Sequence, residues 1–239
     1  MTPLVLVHGF MGGSAQWDGY VEDLQSRFEL IAVDLPGFGA NADLAPIETI
    51  EGYADWVVWH LRDLGVERYH LLGHSMGGMI VQEVVRRDSE KIDRLVLYAT
   101  GSIGVLPGRF ETIEESKRRA AAEGPKVTAR RIAATWFLDG EGADGFEPCA
   151  KIAAQTRLEA INAGLDAMQS WSGQQSLADI QQDTLILWGD CDRTYPWQQI
   201  QTLWEAIPKT SLAVVPGCAH AVHAEKPDIF QRLISDFLD

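Results

Sequence analysis

The chain has 239 residues, 46% of them apolar, and a formal charge of -14 at neutral pH. That length and apolar share suffice to bury one large α/β core, or one domain carrying an insertion. The excess of carboxylates excludes the clustered Lys and Arg footprint that nucleic acid or an anionic membrane surface demands, so neither is expected as a partner.

From the N-terminus, "MTPLVLVHGF" has no basic leader and only a four-residue apolar run before His8, so neither a signal peptide nor a membrane span is expected to begin here. Cys149, Cys191 and Cys218 are odd in number and widely spaced, which argues against a disulfide framework and for a reducing, cytoplasmic location. The run "LVLV" at Leu4 is followed by "LIAV" at Leu30, "HLLG" at His70, "RLVLYA" at Arg94, "TLILW" at Thr184 and "SLAVV" at Ser211. Unbroken apolar runs of this length are what strands covered on both faces look like, which predicts a parallel sheet. Between them apolar residues recur at helical spacing: Trp17, Tyr20, Val21 and Leu24; Tyr53, Trp56, Val57, Leu61 and Leu64; Met79, Ile80 and Val84; and Ile229, Phe230 and Leu233. Strands alternating with amphipathic helices predict a doubly wound, mostly parallel α/β sheet.

From 101 to 182 no strand-like run occurs, and "FETIEESKRRAAAEG", "VTARRIAATWFL" and "KIAAQTRLEAINAGLDAMQSW" read as helices. The expected division is therefore a core over 1–100 and 183–239 and a helical lid over 101–182. The lid follows a strand's carboxyl end, where open α/β sheets bind ligands. It holds 9 Lys and Arg against 11 Asp and Glu, a net charge of -2, leaving -12 for the rest of the chain.

The stretch "YHLLGHSMGGMI" sets Ser75 between glycines. Serines beside glycines ordinarily make turns, but here Gly73-His74-Ser75-Met76-Gly77 joins a strand to a helix, the setting of a nucleophile elbow. Side chains at 73 or 77 would clash on so sharp a turn, and a helix opened at Met76 aims free N–H groups at a developing oxyanion. A serine nucleophile needs a base. "VVPGCAHAVHAEKPD" supplies His220 directly after the Pro216-Gly217 turn, with His223 as the alternative. The carboxylate that would orient it lies in "TLILWGDCDRTYP": Asp192 is favoured, and Asp190 is the alternative better suited to the turn itself.

The motifs "HGFMGG" from His8, "DLPGFG" from Asp34, "GHSMGG" from Gly73, "GDCDRTYP" from Gly189 and "GCAHAVHAEKP" from Gly217 together resemble those of the α/β-hydrolase superfamily over nearly the whole chain. In that family a G-x-x-D-x-x-x-P loop carries the acid and an H-x-x-x-x-E-x-P segment the base, which fall on Asp192 and His220. The resemblance further implies an oxyanion hole from the Phe10 and Met76 amides, and a structural turn at Asp34. Members usually begin with a β-hairpin before the H-G strand, so a trimmed sheet with one bare edge is expected here. Serine at the elbow departs from the aspartate of dehalogenases and epoxide hydrolases. Met79 departs from the Arg of the menaquinone-pathway synthase.

The resemblance implies hydrolysis of a carboxylic ester or lactone of a small molecule through an acyl-enzyme, without a cofactor. It runs closest to enol-lactone hydrolases and small carboxylesterases. The alternatives are carbon–carbon hydrolysis of a ring-fission diketone, cofactor-free haloperoxidase or perhydrolase activity, and a non-catalytic receptor on the same fold. No metal site is expected, because Cys191, Asp192, Cys218 and His220 contain no C-x-x-C or H-x-x-x-H pairing. Apolar candidates for the pocket wall are Phe10, Met11, Trp136, Phe137, Met168 and Trp171. Of the insertion's arginines, Arg109, Arg118, Arg119, Arg130, Arg131 and Arg157, the pair Arg130 and Arg131 are the candidates for holding a substrate carboxylate.

Overall fold

The computed structural model describes residues 2–106 and 111–239. Six strands, β1 (Leu4–Val7), β2 (Leu30–Val33), β3 (Tyr69–His74), β4 (Ile92–Tyr98), β5 (Asp183–Gly189) and β6 (Thr210–Val215), form one sheet in the order β2-β1-β3-β4-β5-β6. Every neighbouring pair is parallel. The apolar runs are unbroken because both faces are covered, and alternate residues serve opposite layers. Val5, Val7, Leu71, Leu95, Leu97 and Ile186 pack on one side with α2 (Ile50–Asp63), α3 (Met76–Asp88) and α8 (Trp197–Ala206). Leu4, Leu6, Leu72, Val96 and Leu187 pack on the other with α1 (Glu22–Arg27) and α10 (Pro227–Leu238), around Trp17, Leu24, Phe230 and Ile234.

The segment between β4 and β5 holds α4 (Ile113–Glu123), α5 (Pro125–Ala134), α6 (Phe146–Ala153) and α7 (Leu158–Ser170). Thr112 caps α4 in a reciprocal box with Glu115, and Gly124 at φ 80 lets Pro125 open α5 directly behind it. The helix expected over 151–171 is instead two, because α6 ends at Ala153 and Arg157, extended at φ -78 and ψ 158, restarts the chain as α7. The segment from Trp17 to Leu24 is likewise not one helix. Gly19 takes φ 79 and separates a short turn at Ser14–Trp17 from α1. In α10 the buried face is Phe230, Ile234 and Leu238, while Ile229 is exposed. The short helix α9 (Val222–Glu225) follows β6. Among the described residues no helix is long and apolar enough to cross a membrane.

Candidate active site

Among the described residues three non-glycine residues have positive φ: Met11 (58°), Ser75 (57°) and Ala99 (46°). They follow the carboxyl ends of the adjacent strands β1, β3 and β4, so backbone strain concentrates at one edge of the sheet, as it does at functional sites. Ser75 bridges β3 and α3; its N–H donates to the Tyr98 carbonyl at 2.9 Å, and its own carbonyl accepts from Thr100 Oγ1 at 2.7 Å. The flanking glycines are forced by contact. A Cβ at Gly73 would lie 2.3 Å from the Gly77 carbonyl oxygen, and one at Gly77 would lie 2.4 Å from that of Val7.

Asp192 and His220 meet behind this elbow. His220 Nδ1 lies 2.8 Å from Asp192 Oδ2, with both side chains buried. The other Asp192 oxygen accepts the backbone N–H groups of Thr194 (2.7 Å) and Tyr195 (3.3 Å), so the carboxylate is held on both sides and its turn is closed by its own loop. Such an acid fixes the imidazole with Nε2 as the working nitrogen. Asp190 does something else: it is exposed, and its Oδ1 accepts Gly217 N–H at 2.7 Å, stapling the β5 loop to the β6 turn. Of the two thiols nearby, Cys191 Sγ contacts Asp190 at 3.3 Å and Cys218 Sγ contacts Glu225 at 3.1 Å.

His223 faces Tyr98, whose hydroxyl is 2.9 Å from its Nδ1, and burial pushes its pKa down to about 3, with the neighbouring His220 adding to the effect. A base that stays neutral so far below its ordinary range is a poor partner for proton transfer at neutral pH, and Tyr98 occupies one of its nitrogens. His74, inside the elbow, is also held neutral by burial. It stacks on Tyr98 (4.4 Å between ring centres) and its Nε2 donates to the His220 carbonyl at 3.2 Å. His8 donates from Nδ1 to the Gly9 carbonyl (2.8 Å) and accepts Leu35 N–H at Nε2 (3.0 Å); burial lowers its pKa to about 4. His74 and Tyr98 brace the loop through the His220 carbonyl, and Tyr98 also holds His223, whereas His8 ties the β1 loop to Leu35. Sequence alone did not point to Tyr98, because a tyrosine ending an apolar strand carries no motif.

Ser75 and His220 line one cavity of about 450 Å³. Phe10, Trp136, Met168 and Arg131 also line it, whereas Met11, Phe137, Trp171 and Arg130 do not, which corrects the expectation for these four. Met11 is fully buried in the main core, held by its own strained turn. Phe137 packs against Phe146 in a small core where the helical segment meets Ala221 after β6. Trp171 is buried with its indole N–H on Glu83 (3.1 Å). Arg130 points outward, bidentate on Glu147 (2.8 and 3.1 Å) and over the Phe146 ring. Phe10 and Met76 flank Ser75 from the β1 loop and from the first position of α3, where an N–H has no partner inside the helix. Arg109 lies outside the described residues.

Arg131 reaches the cavity wall already paired, with Glu123 (3.1 Å) and Glu111 (3.5 Å); Arg119 pairs with the same two carboxylates. Two acids and two bases cancel. Glu225, inside the base motif, accepts Ala219 N–H and Leu138 N–H, both at 2.6 Å, and so ties the helical segment to the His220 loop.

Comparison with known proteins agrees with this architecture. A pimeloyl-[acyl-carrier protein] methyl ester esterase of Aeromonas hydrophila is 28% identical over 98% of this chain and 94% of its own length. A 2-hydroxy-6-oxo-6-phenylhexa-2,4-dienoate hydrolase of Comamonas testosteroni is 27% identical over 98% and 87%, and further relatives are named for carbamate hydrolysis. The enol-lactonase of Burkholderia xenovorans superposes with a TM-score of 0.88 over 100% of this chain and 92% of its own, at 22% identity, a likeness of fold. The family model described as "Alpha/beta hydrolase family" matches residues 4–232, and the chain belongs to that family.

Proposed function

We propose that the protein is a serine hydrolase that cleaves a carboxylic ester or lactone of a small molecule through an acyl-enzyme. The observation that carries this reading is Ser75 on its strained elbow (φ 57°), opening on the same cavity as His220, whose other ring nitrogen is held 2.8 Å from Asp192. Ser75 Oγ adds to the carbonyl carbon as its proton passes to His220 Nε2. Asp192 stabilises the imidazolium, and the amides of Phe10 and Met76 bind the oxyanion. The imidazolium then protonates the leaving oxygen, and the acyl group stays on Ser75. Water, deprotonated by His220, repeats the addition and releases the acid, restoring Ser75.

Carbon–carbon hydrolysis is the second reading, supported by the Comamonas relative's name. The neutralised Arg131 favours the ester over a diketone that carries a carboxylate. The test is labelling with a fluorophosphonate followed by peptide mapping, then turnover of a panel of esters, lactones and dienol diketones. Labelling at Ser75 with ester or lactone turnover is expected. Label elsewhere overturns the nucleophile, and turnover of diketones alone overturns the substrate class.

A further inference from the structure

The short turn Ser14–Trp17 after β1 brings Gln16 to the wall of the cavity that Ser75 and His74 also line. Gln16 is 6% exposed, and its side chain makes one hydrogen bond among the described residues, at 3.3 Å to His74 Nδ1. His74 decides which end of the amide makes it. The His74 Nε2 donates to the His220 carbonyl and burial keeps the ring uncharged, so Nδ1 offers only a lone pair. Gln16 must therefore present its Nε2–H there, which leaves the amide oxygen without a partner. That oxygen is not one of the sealed polar atoms of the interior, so on a residue of the cavity wall it is open to a ligand.

Its distance from the chemistry is short. A Cβ at Gly12 would lie 2.4 Å from the Gln16 amide oxygen and 3.0 Å from the Gly9 carbonyl oxygen, and one at Gly9 would lie 3.0 Å from Ser75 Cβ. Amide and nucleophile thus flank one tight loop, the loop that carries Phe10. The surroundings decide what kind of group fits. α6 packs on the turn and brings Cys149 to the cavity wall, where burial pushes the thiol up to about 12. His223, also on that wall, is held neutral by burial, down to about 3. An ammonium would find no counter-ion among Gln16, His74, Cys149 and His223, and a carboxylate would meet the lone pairs of the amide oxygen. An uncharged donor satisfies it.

We propose that Gln16 is a substrate-binding residue whose amide oxygen accepts a hydrogen bond from an uncharged donor, a hydroxyl or an amide N–H, carried close to the scissile carbonyl. This rests on the ester or lactone reading above and names its substrate class.

Binding is measured by NMR titration of the Ser75→Ala protein, so the test does not depend on turnover. The probes are methyl ketones with a hydroxyl two, three or four bonds from the carbonyl carbon, each beside its methyl ether and its plain alkyl match. A second series carries an amide N–H beside its N-methyl form. At one spacing the hydroxyl or N–H member should bind about five- to thirty-fold tighter than its methylated match, and the Gln16 side-chain amide signal should shift furthest with that member. Gln16→Met, close in shape and without the acceptor, should remove the preference and leave binding of the alkyl ketone within about twofold. A preference that survives Gln16→Met, methylated probes bound as well as donors, all probes weakened alike, or no detectable binding overturns the assignment. Should Gln16→Met fail to fold, the amide signal decides, and a shift no larger for the donor than for its methylated match overturns it. Failure of the hydrolase reading shows separately, as absent ester and lactone turnover by wild-type protein that still binds the donor ketones selectively.

Discussion

The carboxyl edge of the sheet and the helical segment above it both present polar side chains to one cavity, but under different constraints. At the sheet edge each group is fixed by backbone. Asp192 takes two loop N–H groups, the Ser75 carbonyl takes Thr100, and His220 is backed by His74 and Tyr98 through its own carbonyl. On the helical side the charged groups are fixed by each other, Arg131 with Glu111 and Glu123, Arg130 with Glu141 and Glu147. Positions set by backbone permit chemistry that tolerates little misplacement, whereas side-chain pairs can be exchanged or remodelled. In the proposed reaction the first region carries the chemistry, and the second is the side on which the more distant parts of substrates are selected.

The sharpest way to break this contrast is at Ser75. Ser75→Ala should lower kcat by at least about 10⁴-fold with an unchanged thermal midpoint, and His220→Ala with Ser75→Ala should cost no more than either alone, since the members act as a unit. Near wild-type turnover by Ser75→Ala would remove the sheet edge from the chemistry altogether.

The two aspartates of one loop give the next largest difference. Asp192→Asn should reduce kcat by about 10²- to 10⁴-fold, because the imidazole loses its fixed tautomer. Asp190→Asn should cost less than about tenfold and act through stability, since Asp190 accepts from Gly217 N–H and the Cys191 thiol and does not touch His220 in the bonds it makes. Steady-state kinetics of the two variants beside their unfolding curves decide it; equal kinetic losses would mean that the loop and not the Asp192 carboxylate matters.

How much of each region could be read in advance follows from the same contrast. The glycine contacts at Gly73 and Gly77 and the pairing of Asp192 with His220 were legible because close backbone approach and loop order restrict which residue types fit there, and such restrictions leave motifs. The helical side leaves none. Arg130 and Arg131 are neighbours in sequence and look equivalent, yet they stand about 100° apart around α5, and one turns out to Glu147 while the other turns in to Glu111. Phe137 and Met11 show the same ambiguity for apolar residues: periodicity reports that a side chain is buried, not whether a core or a cavity buries it. The break between α6 and α7 escaped because "KIAAQTRLEAINAGLDAMQSW" keeps a helical period across it.

The histidines behind the sheet edge yield a prediction in pH. Burial holds His8 near 4 and His223 near 3, and holds His74 well below the ordinary value, whereas in the unfolded chain each titrates near 6.5. As pH falls from 6.5 towards 4 the unfolded state takes up protons that the folded state refuses, so stability falls with pH over that window. The loss should reach about 1–2 kcal/mol each for His8 and His223 at pH 5 relative to pH 7, and His74 adds to it in the same direction. Urea unfolding at the two pH values checks it, with His223→Gln expected to lose about 1–2 kcal/mol less than wild type on acidification. An identical loss would mean that His223 is not held neutral.

The smallest effect expected is on the helical side, and it separates charge balance from carboxylate binding. Removing Arg131 alone would leave Glu111 and Glu123 in excess and repel any acid substrate, imitating the loss of a binding group. Arg131→Gln combined with Glu123→Gln keeps the sum at zero, with Arg119 and Glu111 still opposed. If the guanidinium serves only its network, this double variant should change kcat/KM by less than about twofold, and equally for a substrate with a free distal carboxylate and for its methyl ester. Arg130→Ala, exposed and turned outward, should show the same equality. A loss of tenfold or more confined to the acid would show that Arg131 leaves Glu123 for the substrate, and the helical side would then bind charge as firmly as the sheet edge holds its own.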